Sequence, residues 1–363
     1  MEVLQSYKNL EISSNVHPYS VFFTEKIKLN LKNQLSEGDI IILDKNIYEL
    51  YPLMFDKIKN IFIIIEASEK AKSYNEIEGV ISQIVDAGFR KGNKLIAIGG
   101  GITQDITSFI AFIIYRGVDW IFFPTNLLSQ CDSCIGSKLS INLKNFKNLL
   151  GGFYPPKKIF IDTHFLKSLK EKDIISGLGE MLHYFLVNSR KDMDLFSNNI
   201  KEIKKDLSKI EKLIFRSLSI KKKMIEIDEF DKGPRNVFNY GHTFGHAIES
   251  VTNYSIPHGI AVSYGIDLAN YISLKLGFLG VNDRNKMREL CEEIFFNTPL
   301  PHIEINNYKI ALQKDKKNIG NKIGLILSSG PGNTFKHLVE YEKISAFIIE
   351  YFGSKIYLKK IIK

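Results

Sequence analysis

Cysteine is scarce in this sequence. Cys131, Cys134 and Cys291 are the only three in 363 residues, too few and too unevenly placed for a disulfide framework, which points to a reducing compartment. Cys131 and Cys134 form a C-x-x-C, but no second such pair completes a four-cysteine zinc site, so both read as small packing residues. Long apolar runs are missing as well. Ile106 to Tyr115 lies between two charges, Asp105 and Arg116, well short of the roughly 20 residues a membrane span needs. Residues 1–21 carry Glu2, Lys8 and Glu11 rather than the basic, apolar and small-residue order of a leader. The expectation is a cytoplasmic protein without a membrane partner. Nor does one sign of charge form a stripe. The 49 Lys plus Arg against 40 Asp plus Glu leave +9, a balance compatible with anionic small substrates. Runs such as "KEIKKDLSKIEK" (201–212) mix both signs at helical spacing and read as solvated helix faces, so no nucleic-acid partner is expected.

What is present is enough apolar sequence, 44%, for a large core, in a chain long enough for two domains. The first half alternates β-rich runs, "DIIILD" (39–44), "IFIII" (61–65), "LIAI" (95–98), "WIFFP" (120–124) and "IFID" (159–162), with helical patterns. Continuous apolar strands of this kind belong to a sheet covered on both faces. Ile77, Val80, Ile81, Ile84 and Val85 fall on one face of an amphipathic helix between the second and third runs, giving a β-α-β rhythm. After about residue 170, long helical patterns such as 201–226 and 259–275 take over. The predicted organisation is an α/β domain over 1–170 and a helical domain over 171–363, with "GGFYPPKK" (151–158) beside the boundary.

Three stretches carry candidate chemistry. "LIAIGGG" is a strand feeding a glycine turn and then a helix, an arrangement in which bare backbone and helix N–H groups can approach phosphate oxygens. It is not the G-x-G-x-x-G fingerprint, and alone it reads equally as a tight turn. "NYGHTFGHAIES" (239–250) sets His242 and His246 four apart on one helix face, with His258 in "IPHGIAV" and Glu180 in "SGLGEMLHY" as further donors. Either two imidazoles share a metal, or one binds metal while the other handles protons or anions. Third, "DSCIGSKLSINLKNFKNLLGGFYPP" (132–156) gathers Asp132, Lys138, Lys147 and Asn148 among small residues, either a solvated loop or a set that holds a phosphorylated substrate. "GPRNVFNYGHT" adds Arg235 and Asn239, and "QKDKKNIGNKIGLIL" adds Lys316 and Lys317.

Taken together these stretches resemble the sugar phosphate cyclases, most closely the dehydroquinate synthase branch. "GGGITQD", "YRGV", "FPTNLL", "CDSCIGSK", "KNLLGGFYPP", "SGLGE", "NYGHTFGHAIE", "PHG" and "DKKN" stand in the family's order and near its spacing. The resemblance implies a Rossmann-like α/β N-terminal domain and an all-α C-terminal domain with the active site between them. It implies zinc, or cobalt, on Glu180, His242 and His258, with His246 an active-site partner rather than a ligand. It places NAD against Gly99, Gly100, Gly101 and Asp105, with Asp44, Asn46, Glu69, Lys72, Thr125, Asn126, Lys138 and Lys147 around it. Substrate contacts carried over in the same way are Asp132, Lys138, Asn148, Lys221, Arg235, Asn239, His246 and Lys316, and Arg116 would serve the neighbouring subunit of a homodimer. The implied reaction oxidises a phosphorylated sugar acid, eliminates its phosphate, returns the hydride and closes the ring.

Four positions depart from the family's pattern. His183 stands where a lysine is usual, three residues after Glu180, weakening one cationic contact. Gln104 and Ser108 replace small residues, and Asn126 replaces a threonine while keeping a hydrogen-bonding group. With Lys221 and Arg235 present for a carboxylate, the expected substrate is 3-deoxy-D-arabino-heptulosonate 7-phosphate. The alternatives are a neutral sugar phosphate such as sedoheptulose 7-phosphate, or the chemistry of a metal-dependent alcohol dehydrogenase.

Overall fold

The computed structural model describes residues 9–144, 146–313 and 322–358. The chain folds into two compact units, Met1–Leu169 with Ile210–Phe230, and Lys170–Lys209 with Asp231–Lys363.

Isoleucine-rich runs build the sheet of the first unit. Its strands are β1 (Asn9–Ile12), β2 (Tyr19–Phe23), β3 (Ile40–Asp44), β4 (Ile61–Ile65), β5 (Leu95–Gly99), β6 (Trp120–Pro124) and, after the hairpin β7 (Lys138–Leu143) and β8 (Phe146–Phe153), β9 (Lys158–Ile161). All five residues of β3, β5 and β6 are buried, as expected for β-branched and aromatic strands covered on both faces. The order is β1-β2-β9-β6-β5-β3-β4. Only β1 joins antiparallel. The five runs picked out in the sequence are five of these strands. The chain winds outward from β3 to β4, then returns to place β5 on the other side of β3. That reversal is a topological switch point, and the crevice beyond the carboxyl ends of such strands is where open α/β sheets take ligands. Asp44 ends β3 and Gly99 ends β5.

Helices α1 (Ile27–Gln34), α2 (Lys45–Leu50), α3 (Pro52–Phe55), α4 (Tyr74–Asp86) and α5 (Gly101–Ile113) complete this half of the chain. Ile41, Leu43, Ile96, Ile98 and Phe123 pack with Leu31, Met54 and Phe165 in one core cluster. On α4 the buried face is Ile77, Val80 and Ile84, while Val85 is exposed; the apolar stripe is narrower than its spacing predicts. The 132–156 stretch is not a loop: β7 and β8 pair from Lys138↔Phe153 with a bulge between Ile141 and Leu143.

The helical pattern over 201–226 is broken in two. α6 (Glu171–Asn188) and α7 (Arg190–Ile203) belong to the second unit, whereas α8 (Glu211–Ile227) belongs to the first. Within the first unit Ser217 of α8 donates to the Cys131 carbonyl at 2.9 Å. The second unit continues with α9 (His242–Val251), α10 (His258–Lys275), α11 (Val281–Phe295), α12 (Ile305–Gln313) and α13 (Tyr341–Gly353), and adds a hairpin of β10 (Lys322–Ser328) and β11 (Thr334–Glu340). It is largely helical.

Glycine lets three of these helices touch backbone to backbone. A Cβ on Gly179 of α6 would lie 2.2 Å from the Gly259 carbonyl oxygen of α10, and one on Gly245 of α9 would lie 2.9 Å from the Val262 Cα of α10. Such close approach excludes any larger residue. Gly241, at φ +81°, turns the chain into the first turn of α9.

Candidate active site

In the second unit the close packing of α6, α9 and α10 brings together the donors that the sequence scatters over 79 positions. Glu180 is buried on α6, and its carboxylate is the hub. The His242 Nε2 lies 3.5 Å from Oε1 and the His258 Nε2 lies 3.2 Å from Oε2. Both rings are oriented from behind. His258 Nδ1 is 3.1 Å from the Glu249 carboxylate and His242 Nδ1 is 3.3 Å from the Tyr240 carbonyl. Anchoring Nδ1 in this way leaves Nε2 as the donor and fixes the tautomer, the arrangement that orients histidine on a metal. Two donors about 2.0–2.1 Å from one zinc at the tetrahedral angle stand about 3.4 Å apart. The separations of 3.5 and 3.2 Å, each to a different oxygen of the carboxylate, are near that edge, and the set of one carboxylate and two imidazoles suits zinc or cobalt. The residues fit a divalent metal.

The electrostatics follow the same contacts. Burial alone would raise the Glu180 carboxyl, but the rings of His242, His258 and His183 outweigh it and hold it well below the usual carboxylate range. Burial opposes charge on His258, yet Glu180 and Glu249 together push its ring well above the ordinary histidine value.

His183, one turn along α6 from Glu180, is 1% exposed, and its Nδ1 is 3.5 Å from Glu180 Oε1. His246 is exposed on α9, with its ring 5.5 Å from that of His242 and 5.6 Å from that of His258. A donor atom of His246 lies within 4.8 Å of donors of Glu249 and His258. Glu249 ends the "NYGHTFGHAIE" motif without being given a role there, and the fold sets its carboxylate against the far nitrogen of the His258 ring. Arg235, 4% exposed, and Asn239 stand on the short 3-10 segment Pro234–Asn239 just before α9. Lys316 and Lys317 lie outside the described residues.

In the first unit the carboxyl ends of β3 and β5 carry the glycine turn. A Cβ on Gly99 would meet Thr103 Oγ1 at 2.3 Å and the Asp44 Cβ at 3.1 Å, and one on Gly100 would meet Asn126 Nδ2 at 2.2 Å. Nothing lies within 4 Å of a Cβ on Gly101, so the first turn of α5 offers its N–H groups over bare backbone. Asp44 caps α2, accepting from the Asn46 N–H at 2.9 Å, and burial raises its carboxyl. Thr125 N–H donates to Gly99 O at 3.0 Å. Asn126 Oδ1 accepts from Ser129 N–H at 2.9 Å and its hydroxyl at 2.8 Å. These residues form a tight glycine turn at the switch point, with the first turn of α5 directly after it.

Beside this turn, Lys72 joins the α4 side of the unit to α5 and to the β7–β8 hairpin. Its Nζ is 2.6 Å from Asp105 Oδ2 and 2.7 Å from Asn148 Oδ1. Burial pushes the Asp105 carboxyl up from its ordinary value although Lys72 pulls the other way. Asn148, held at φ +51°, takes the Asn142 side-chain oxygen on its N–H at 2.9 Å. Asn142 in turn donates to Glu69 at 2.8 Å, and Lys147 lies 3.5 Å from the same carboxylate. No sequence motif singles out Asn142. A second pair ties α8 to the turn after β6: Lys221 Nζ donates to Asp132 Oδ1 at 2.7 Å and to its carbonyl at 2.8 Å.

The remaining positions are quickly placed. Lys138 opens β7 on an exposed face, and Arg116 is exposed at φ +62° after α5. Gln104 is locked to Ser133 by bonds of 2.7 and 2.6 Å, and Ser108 bonds back to the Asp105 carbonyl. Both are packing residues. Cys131 and Cys134 are buried thiols that form no disulfide, and burial pushes Cys134 up to about 12. Among the described residues no helix is long and apolar enough to cross a membrane.

The chain is similar to known proteins over most of its length. Residues 62–176 match the family model described as 3-dehydroquinate synthase N-terminal, and residues 177–318 the model described as 3-dehydroquinate synthase C-terminal. A 3-dehydroquinate synthase of Streptococcus pyogenes serotype M3 is 32% identical over 340 residues, covering 90% of this chain and 94% of the relative. Among solved structures, 2-deoxy-scyllo-inosose synthase complexed with carbaglucose-6-phosphate, NAD+ and Co2+ superposes with a TM-score of 0.86 at 23% identity, over 94% of this chain and 100% of that one. The 2-epi-5-epi-valiolone synthase of Streptomyces hygroscopicus subsp. jinggangensis 5008, with NAD+ and Zn2+ bound, gives 0.83 at 21% identity, over 93% and 97%. At these identities the structural likeness is one of fold.

Proposed function

The chain belongs to the 3-dehydroquinate synthase family of carbon–oxygen lyases, and from that premise we propose that it converts 3-deoxy-D-arabino-heptulosonate 7-phosphate to 3-dehydroquinate and inorganic phosphate, using NAD and a divalent metal, as a step of aromatic biosynthesis. The single observation that carries the metal-dependent part is the Glu180 carboxylate placed at tetrahedral-edge distances from two imidazoles whose other nitrogens are anchored.

When bound, NAD supplies a hydride acceptor and donor, and zinc or cobalt supplies a Lewis acid for neighbouring hydroxyls. The chain's own groups do the rest. Glu180, His242 and His258 hold the metal, and Glu249 and the Tyr240 carbonyl keep the two rings in register. Gly99, Gly100 and the first turn of α5 take the pyrophosphate, with Asp44, Asn46, Glu69, Lys72, Asp105, Thr125, Asn126 and Lys147 bordering the dinucleotide. In the second unit Arg235 offers a planar fork suited to the substrate carboxylate. His246 lies near the metal set and is exposed, so it can bind the phosphate or an alcohol proton. In the first unit Lys221 is held by Asp132 as an oriented cation, while Lys138 and Asn148 present a donor and an amide. The substrate's own phosphate takes the proton as it leaves. Lys316 completes the substrate set in this reading, and Arg116 serves the neighbouring subunit of a homodimer; its exposure beside exposed Phe112, Ile113 and Tyr115 supports that role.

The substrate choice rests on Arg235 and is tested there. Phosphate release is followed with NAD and zinc on the heptulosonate phosphate and on sedoheptulose 7-phosphate, for the wild type and Arg235→Ala. The expected outcome is release from the acid alone and a loss of roughly 100-fold or more in kcat/KM in the variant, the scale of a lost charged hydrogen-bond pair. Release from the neutral sugar alone, or an unimpaired variant, contradicts the reading.

A further inference from the structure

Around Glu180 stands a third imidazole. His183 is three residues from Glu180 on α6, so the two side chains leave the same helix face. Its Nδ1 lies 3.5 Å from Glu180 Oε1, the same separation as His242 Nε2 from that oxygen. Donor atoms of Glu180, His183 and His242 all lie within 4.8 Å of one another. The His183 and His242 ring centroids are 5.1 Å apart and nearly perpendicular. His183 is 1% exposed, and its ring is wedged against those of Tyr184 and Phe238, with centroids at 3.8 and 6.0 Å. A ring so enclosed cannot swing to solvent, and an imidazole nitrogen at the tetrahedral-edge distance from a ligating carboxylate has the position of a ligand.

We propose that His183 is a fourth protein donor to the divalent metal, which this chain holds with one carboxylate and three imidazoles instead of a carboxylate and two. The proposal rests on the reading of Glu180, His242 and His258 as ligands. It differs from a substrate-contact role for position 183, because a ligand acts on the metal with no substrate present. A fourth protein donor tightens metal retention and takes the place of one water in the resting site, and expansion to five-coordinate leaves room for a substrate hydroxyl.

The test uses the full chain loaded with Co2+ and no sugar phosphate. Co2+ affinity is measured by competition with a chelator, and the visible d–d spectrum is recorded for the wild type, His183→Ala, His183→Gln and His242→Ala, with circular dichroism for each. The expected result is Co2+ bound at least about tenfold more weakly by both His183 variants, with the d–d bands shifted, and loss of binding in His242→Ala. Unchanged affinity and spectrum in the folded His183 variants, with binding lost in His242→Ala, overturns the fourth donor and leaves the metal reading standing. A wild type that binds no Co2+ overturns both. Should the His183 variants fail to fold, X-ray absorption of the Co2+-loaded wild type decides, three imidazoles supporting the proposal and two overturning it.

Discussion

Glu249 and His258 form a pair in which the carboxylate fixes the ring. The Glu249 Oε2 sits 3.1 Å from His258 Nδ1, on the side away from Glu180. Glu249 touches no expected substrate, so its effect passes through the histidine. Glu249→Ala is expected to weaken metal binding by roughly 10- to 100-fold with little change in circular dichroism, measured by chelator competition on the purified apo-protein. An affinity within twofold of the wild type removes Glu249 from the account.

Gly179 and Gly259 set the spacing of α6 and α10. Because a Cβ on Gly179 meets a backbone oxygen at 2.2 Å, neither side can yield cheaply, and Gly179→Ala is expected to cost about 1–3 kcal/mol or more and to lower metal affinity with it. Gly79→Ala on α4, where nothing lies within 4 Å, should instead stabilise by about 0.5–1 kcal/mol. Denaturant unfolding of the two variants reads both signs at once.

The Lys72–Asp105 pair stands in the proposed NAD site. Lys72→Met leaves a partly buried carboxyl whose burial already raises it, so stability should fall by about 1–3 kcal/mol and NAD affinity with it. Adding Asp105→Asn should recover stability, since no buried charge remains unpaired, but not NAD affinity. Calorimetric NAD titration together with thermal unfolding separates the two effects; recovery of both would mean that Asp105 does not face the dinucleotide.

The legible part of this molecule is the part written in repetition. Runs such as "LIAI" and "WIFFP" are buried throughout and the first-unit sheet follows them, whereas "IFIII" becomes the edge strand β4, which leaves Ile61 and Ile64 exposed. The β7–β8 hairpin is hidden because lysines, asparagines and glycines interrupt its apolar residues and β8 is largely exposed, although "KLSINL" of β7 alternates as a half-buried strand does. The break between α7 and α8 is hidden because charged residues at helical spacing continue straight through it. Among the site residues, Glu180, His242 and His258 are identified through motif resemblance, while spacing alone leaves the metal undecided between one and two imidazoles. Glu249 ends the "NYGHTFGHAIE" motif and Asn142 stands in the 132–156 stretch, but each orients another residue, and that task shows only in the folded contacts. His183 reads in sequence as a lost lysine; only the folded helix turns its ring toward Glu180.

Acid stability should depend on Glu229. Burial would raise its carboxyl, but bonds from the Ser137 and Ser14 hydroxyls, both 2.6 Å, and from the Asn15 N–H at 2.6 Å outweigh that and hold it below the usual value. A carboxyl lowered on folding adds stability that is complete above its unfolded value near 4.3 and is lost as pH falls through the folded one. Glu229→Gln is therefore expected to cost about 1–3 kcal/mol at pH 7, with the difference from wild type shrinking below pH 4. Urea unfolding at pH 7 and at pH 3.5 measures this, and an equal gap at both values would contradict it.

The proposed reaction uses its nicotinamide twice, once to oxidise and once to reduce, and counting turnovers tests it. The zinc-loaded enzyme with one equivalent of NAD is given excess 3-deoxy-D-arabino-heptulosonate 7-phosphate, and phosphate and absorbance at 340 nm are followed together. The account predicts many equivalents of phosphate per enzyme while the 340-nm signal stays flat after any initial transient. Phosphate that stops at one equivalent would contradict the return of the hydride, and one equivalent of NADH formed with no phosphate released would make this chain an ordinary dehydrogenase on a cyclase fold.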